Sequence, residues 1–232
     1  MIRSAKFGFI LVIFVVHQSV KTMIPIRTIV FDLGGVLIDY DLPRCLEAFR
    51  RLGLAEPARW INPYKQSGVF LTLENGSGKP EDLYRYLSDQ VGHPLDPRSI
   101  DEAWCSFLLD IPDYKLDMLR TLRRQGYQVF MLSNTNVIMF DWMRRTVFTK
   151  QGGTLMDYFD RVFLSYEMKL VKPDPAIFEQ MARDGGISPE ETLLIDDSAA
   201  NVATAASLGF HTYQAQVHED FRSLFDRYTL KP

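Results

Sequence analysis

Short apolar runs that end in polar residues, separated by helical patterns, leave this 232-residue chain few folds to choose from. Thr28 to Asp32, Tyr127 to Ser133, Arg161 to Ser165 and Thr192 to Asp196 each read as such a run, and Phe210 to Ala215 is a fifth strand candidate. Strands of this kind are expected where both faces of a sheet are covered. Between them, Leu116, Leu119 and Leu122 share one helix face, with Gly126 at the C-cap position. Asp174 reads as an N-cap, Pro175 as the first helical residue and Gly185 as the stop. The small-residue run after Asp197 ends at Gly209. Strand and helix alternate, which predicts a parallel sheet flanked by helices.

Residues 42–111 break that alternation. "LPRCLEAFRRLGL", "PEDLYRYLSDQVG" and "PRSIDEAWCSFLLD" are all helical patterns with no strand between them. The expected organisation is therefore a core built from residues 23–41 and 112–232, with a helical unit, 42–111, inserted after the first strand. Asp39 and Asp41 fall at its hinge, and Trp60, Tyr64, Phe70 and Trp104 are expected to pack its interior.

In sheets of this class, ligands bind at the carboxyl ends of the strands. The polar residues found there share one chemistry. The first run ends at Asp32 and the second at Ser133-Asn134. Lys172 follows the third, and the fourth ends in Asp196-Asp197. Carboxylates from two strand ends can hold a hard cation through oxygen. A cation and an ammonium together would let an anionic Asp32 attack an anionic phosphate. Each residue also has a plainer reading. Asp32 could cap a turn, Ser133-Asn134 could cap the helix of "NVIMFDWMRR", Lys172 could be a solvated loop residue, and the acid pair could cap a helix. His93, His211 and His218 show no ligand spacing, and Lys169 is the weaker of the two nearby lysines.

With the motifs "VFDLGGVLID", "LSNTN", "KPDPAIFE" and "LIDDSAANV" in this order, the chain resembles the haloacid dehalogenase superfamily of phosphohydrolases from Ile26 to about Tyr213. The resemblance implies a doubly wound, Rossmann-like α/β core with a helical cap of the first type. It implies Asp32 as nucleophile, Lys172 as charge balance, and Ser133 and Asn134 at the phosphate. Mg²⁺ would be held by the Asp32 carboxylate, the Gly34 carbonyl and Asp197, with Asp196 as a further ligand or a neighbour to one. Asn201 would orient without adding charge. Most phosphatases of the family carry a second aspartate two residues after the nucleophile, as a general acid; here Gly34 stands at that place. The "DLGGVL" form resembles a subset that includes sugar-1-phosphate phosphatases. The expected activity is thus a Mg²⁺-dependent phosphatase of a small phosphorylated metabolite. Its rivals are a non-catalytic phosphate-binding protein and a metal-free 2-haloacid dehalogenase, and the glycine argues against a phosphomutase.

Composition narrows the partners. A net charge of -3 and no basic stripe argue against nucleic acid. Two cysteines, Cys45 and Cys105, are expected to be free thiols. Arg3 and Lys6 precede an apolar run, Phe7 to Val16, that is shorter than the roughly 20 residues of a membrane span. Residues 1–22 read either as a targeting or anchoring segment or as an extension ahead of a start at Met23. The first would secrete or anchor the protein; the second leaves it cytoplasmic. No stable membrane association is expected of residues 23–232, and the oligomeric state stays open.

Overall fold

A computed structural model describes residues 23–62 and 66–231. The expectations for residues 1–22 and for Tyr64 lie outside them. The centre is a five-stranded parallel sheet. Its strands are β2 (Thr28–Phe31), β3 (Gln128–Ser133), β4 (Arg161–Leu164), β5 (Thr192–Asp196) and β6 (His211–Gln214), in the order β4-β3-β2-β5-β6. The chain leaves β2 for β3 on one side and later reaches β5 on the other. The carboxyl end of β2 is therefore the switch point of the sheet, where a crevice opens between diverging crossovers.

Alternation within the central strands explains why they read as continuously apolar. Ile29 and Phe31 of β2, Val129 and Met131 of β3, and Leu193 and Ile195 of β5 belong to one apolar cluster. Val30, Phe130, Leu132 and Leu194 belong to another, with Ile177, Phe178 and Met181 of α8 (Pro175–Gly185). Both faces are covered, so neither phase of the strand is polar. The edges differ: β6 is only half-buried and β4 begins exposed. Ser165 does not continue β4 but opens the short helix α7 (Ser165–Met168). A two-stranded parallel pair, β1 (Ile24–Ile26) with β7 (Tyr228–Leu230), adds to the expected set. Three-residue runs so far apart in sequence carry no local signal.

Helix ends follow the sequence with two adjustments. Asp174 caps α8, its carboxylate accepting from the Ala176 N–H at 2.9 Å. Gly185 is the last helical residue, and Gly186 takes the left-handed turn at φ +66. Gly185 is small because a Cβ there would lie 2.8 Å from Phe130 Cε2. The helix α6 (Val137–Thr146) is capped by Asn136, whose Oδ1 accepts from Ile138 and Met139 N–H, so Ser133 and Asn134 are released from that duty.

Between β2 and the helix α5 (Asp113–Arg124) lie α1 (Leu42–Arg51), α2 (Gly68–Glu74), α3 (Pro80–Val91) and α4 (Pro97–Cys105). Asp41 caps α1 through the Arg44 N–H, and Asp39 pairs with His218 at 2.9 Å. Phe70 is buried edge-on against Phe49 at 5.7 Å and Trp104 at 4.9 Å. Trp60 packs edge-on against Tyr86, at the rim of that interior. Cys45 and Cys105 are free and buried. Among the described residues, no helix is long and apolar enough to cross a membrane.

Candidate active site

Strand register assembles the site. Phe31 pairs with Met131 on one side and Ile195 on the other. Asp32, one residue beyond, is thus level with Leu132 and Asp196, and its N–H donates to the Ile195 carbonyl at 2.8 Å. Lys172 arrives from the loop before α8 and places its ammonium among three acceptors. These are Asp32 Oδ1 at 2.9 Å, Asp196 Oδ2 at 2.6 Å and the Leu132 carbonyl at 3.1 Å. All three of its protons have a partner, and each partner comes from a different strand end. The Lys172 side chain is 1% exposed and that of Asp32 12%. Burial alone would lower the Lys172 pKa, but Asp196 and Asp32 outweigh it and raise it, so the residue is a fixed cation.

Asn134 explains how the lysine is aimed. Its Oδ1 accepts the Lys172 N–H at 2.8 Å, and its Nδ2 donates to the Lys172 carbonyl at 2.9 Å. The Asn134 side chain thus grips the backbone of Lys172, and this contact leaves the Asn134 backbone N–H out of the pairing. Ser133 is 2% exposed and lines the cleft, and its hydroxyl has only a long 3.5 Å contact with the Asn134 carbonyl. That leaves the hydroxyl able to donate to a ligand. Lys169 is exposed, and no histidine lines the cleft among the described residues.

The acids are in surplus. Asp32, Asp196 and Asp197 bring oxygens within 4.8 Å of one another, and Lys172 is the one cation among the described residues lining the cleft. Burial raises Asp32 to about 8, with Asp196 and Asp197 adding to the shift and Lys172 opposing it. Asp197 rises to about 6, by burial first and by Asp196 second. Asp32 and Asp197, which resist ionisation in this way, are carboxyls that a divalent cation would hold in their charged form. The donor chemistry fits Mg²⁺, with unequal shares. Asp196 Oδ2 is held by Lys172, and Oδ1 accepts from Ser198 N–H and Asn201 Nδ2, each at 2.9 Å. Both of its oxygens are thus already engaged, and Asn201 orients it. Asp32 and Asp197 keep oxygens for a cation, and the Gly34 carbonyl lies in the same wall.

Gly35 makes room for that arrangement. It has φ +72, and a Cβ there would lie 2.2 Å from Asp197 Oδ2 and 3.2 Å from the Tyr40 ring. Gly35→Ala is expected to cost about 1–3 kcal/mol in backbone strain and contact. It should also weaken Mg²⁺ binding at least ~10-fold by displacing Asp197. At Gly34 a Cβ would meet no atom within 4 Å, so Gly34→Ala should leave the melting temperature unchanged. Thermal melts and calorimetric Mg²⁺ titration of the two variants check the contrast.

Two residues of the site carry no motif. Tyr40 places its hydroxyl 3.5 Å from Asp197 Oδ2. Glu74, the last residue of α2, is 9% exposed and lines the same cleft as Asp32 and Lys172. The available signal was periodic: Glu74 follows Phe70 by one helical turn and so shares its buried face. Burial raises its carboxyl to about 7, and Lys172 acts in the opposite sense. A folded-state pKa above the unfolded one favours folding at low pH and loses that advantage as pH rises through about 7. Relative to wild type, Glu74→Gln should therefore be about 3 kcal/mol more stable at pH 8 than at pH 4.5. Urea denaturation at the two pH values measures the difference.

The cleft is narrow, with a free volume of about 90 Å³. Its lining joins the polar strand-end residues to Ile61, Trp104, Phe107 and Leu108, which come from the inserted helices and the turns beside them. A model of the haloacid dehalogenase-like hydrolases matches residues 26–209. D-ribitol-5-phosphate phosphatase of Bacteroides thetaiotaomicron is 37% identical over 197 residues, covering 85% of this chain and 95% of that protein. A haloacid dehalogenase family enzyme of the same organism, solved in complex with magnesium and inorganic phosphate, superposes with a TM-score of 0.82. Its identity is 41%, over 86% of this chain and 99% of that one. A predicted hydrolase of the same type from Porphyromonas gingivalis gives 0.81 at 40% identity, over 87% and 97%. Fold, strand-end residues and matched span agree: the chain belongs to the haloacid dehalogenase-like hydrolase family.

Proposed function

We propose that the protein is a Mg²⁺-dependent phosphatase of a small phosphorylated metabolite, a sugar or polyol phosphate, acting through transfer to Asp32. The observation that carries this is Lys172, buried between Asp32 and Asp196 at the switch point, with Asp197 in ligating reach of Asp32. A binding module would have no use for a carboxylate held against an ammonium at the floor of its cleft. The relative that acts on D-ribitol 5-phosphate supports the substrate class, and the magnesium and phosphate complex of the family enzyme supports the cofactor.

Asp32, Gly34 and Asp197 would hold Mg²⁺, which when bound offsets the charge of the phosphate and the acids. Lys172 favours the anionic form of Asp32 and aims it, a bound cation would favour that form further, and Ser133 donates to a non-bridging phosphate oxygen. Asp32 attacks phosphorus, and water then hydrolyses the aspartyl-phosphate, splitting one hard step into two. Residues 42–111 act as a cap that closes over the phosphate and excludes bulk water. Cytoplasmic action is part of the reading, because two buried unpaired thiols suit a reducing compartment.

Phosphate release from sugar, polyol and nucleoside phosphates, with Mg²⁺ or with EDTA, tests the proposal. Mg²⁺-dependent release favouring a polyol or sugar phosphate is expected. Halide release from a 2-haloacid in EDTA would make the protein a dehalogenase. Mg²⁺ binding without turnover on any ester would make it a binding protein.

A further inference from the structure

An alkoxide is a poor leaving group, so an alkyl phosphate is cleaved quickly only if its bridging oxygen receives a proton as the bond breaks. The floor of the cleft offers none. Asp32 and Asp196 are held by Lys172, Asp197 faces the cation position, and the residue beside them at 34 is glycine. Attack from Asp32 sends the leaving oxygen away from the sheet, since entering and leaving oxygens lie roughly in line. A proton donor must therefore stand on the wall made by the inserted helices.

Among the described residues, that wall holds one carboxyl group without a task. From the position of Glu74 in the cleft, we propose that it is the general acid and base of the reaction, an assignment that rests on the phosphatase reading. Gln66 shares the wall but carries no transferable proton and is turned to the Asn62 carbonyl at 2.6 Å. The Tyr40 hydroxyl is turned to Asp197 on the floor.

Glu74 is held where this role requires. Its own carbonyl lies 2.7 Å from Ser165 Oγ, at the start of α7. The same hydroxyl accepts the Thr135 N–H at 3.0 Å and lies 3.0 Å from the Thr135 carbonyl, in the loop that follows Ser133. Gly76, two residues on, passes so close to α7 that a Cβ would lie 2.0 Å from the Tyr166 carbonyl. The backbone at the end of α2 is thus tied to the loop that carries the phosphate-binding side. Its raised pKa, about 7, suits a group that gives and takes a proton near neutrality.

The steps balance. Asp32 bonds to phosphorus as the bond from phosphorus to the substrate oxygen breaks. The electron pair goes to that oxygen, which takes the proton of Glu74. Glu74, now a carboxylate, takes a proton from water as the water oxygen bonds to phosphorus. The bond to Asp32 breaks, its carboxylate returns, and Glu74 is protonated again.

A leaving-group series separates this role from packing or substrate recognition. The substrates are p-nitrophenyl, p-chlorophenyl and phenyl phosphate, which lack hydroxyls to recognise, and then ethyl phosphate. Wild type, Glu74→Gln, Glu74→Asp and Glu74→Gln with Gly34→Asp are compared in Mg²⁺, with melting curves to confirm folding. Position 34 has open space for the added side chain. In single-turnover measurements of leaving-group release, the first step, Glu74→Gln should stay within ~3-fold of wild type on p-nitrophenyl phosphate and lose on the order of 10²-fold or more on ethyl phosphate, while the later hydrolysis of the aspartyl-phosphate slows equally on every substrate. The loss should grow with leaving-group pKa, shrink in Glu74→Asp, and shrink again when the acid is supplied at position 34. An equal loss of first-step rate on every substrate, or no loss on ethyl phosphate, would overturn the assignment. Absence of Asp32-dependent turnover in wild type on p-nitrophenyl phosphate would instead overturn the phosphatase reading and the assignment with it.

Discussion

Asp32→Asn lowers phosphate release by on the order of 10⁴-fold or more while the protein stays folded. The size follows from the role: an amide oxygen cannot form the covalent intermediate, so the two-step route closes. The stability expectation follows from the surroundings. Burial and the neighbouring Asp196 and Asp197 raise the Asp32 carboxyl to about 8, so its ionised form is held at a cost that Asn removes. Lys172 keeps its closer partner, Asp196, at 2.6 Å. Without Mg²⁺ at pH 8, the variant should melt no lower than wild type. Phosphate release under saturating Mg²⁺, beside a melting curve, measures both. Residual turnover above a tenth of wild type would remove Asp32 from the nucleophile's place.

Lys172→Met has the opposite character and damages fold and function together. The ammonium is the common partner of Asp32, Asp196 and the Leu132 carbonyl, and its side chain and that of Asp196 are each 1% exposed. Removing one member of a buried pair leaves a charge with neither water nor counter-ion, at a cost of about 3–5 kcal/mol. Turnover should fall at least ~10³-fold, since Asp32 loses its aim and the phosphate loses a neutralising charge. Converting Asp196 to Asn in the same chain should restore part of the stability and none of the turnover. Urea denaturation of the two single variants and the double variant gives the coupling. A loss under ~1 kcal/mol for Lys172→Met would mean that the lysine is effectively solvated.

The central sheet and the strand-end residues were legible for one reason. Asp32, Ser133, Asp196 and Asp197 each follow an apolar run directly, so local sequence places them at the carboxyl edge, and the order of strands brings those edges together. What the edges do with their side chains was less legible. The side-chain amide of Asn134 meets the Lys172 backbone, a partner 38 residues away that spacing cannot show. Asn136 rather than its neighbours caps α6, because β3 runs on to Ser133 and the chain needs further residues to turn. Glu74 was hidden inside a short amphipathic helix, where an acid on the apolar face looks like the helix's polar end until the partner elements are known. The β1–β7 pair was hidden for the same reason: its two halves meet across nearly the whole chain. Local chemistry, in short runs, was readable; which side chain is consumed by which distant backbone was not.

Trapping the covalent intermediate tests the central claim most directly. Turnover of a polyol phosphate in Mg²⁺ is quenched with acid, reduced with borohydride and mapped by mass spectrometry, since borohydride converts an aspartyl-phosphate to homoserine. Conversion at Asp32 alone, in samples that held both substrate and Mg²⁺, is the predicted result. Rapid turnover with Asp32 unmodified, or with the label on another carboxylate, would contradict it.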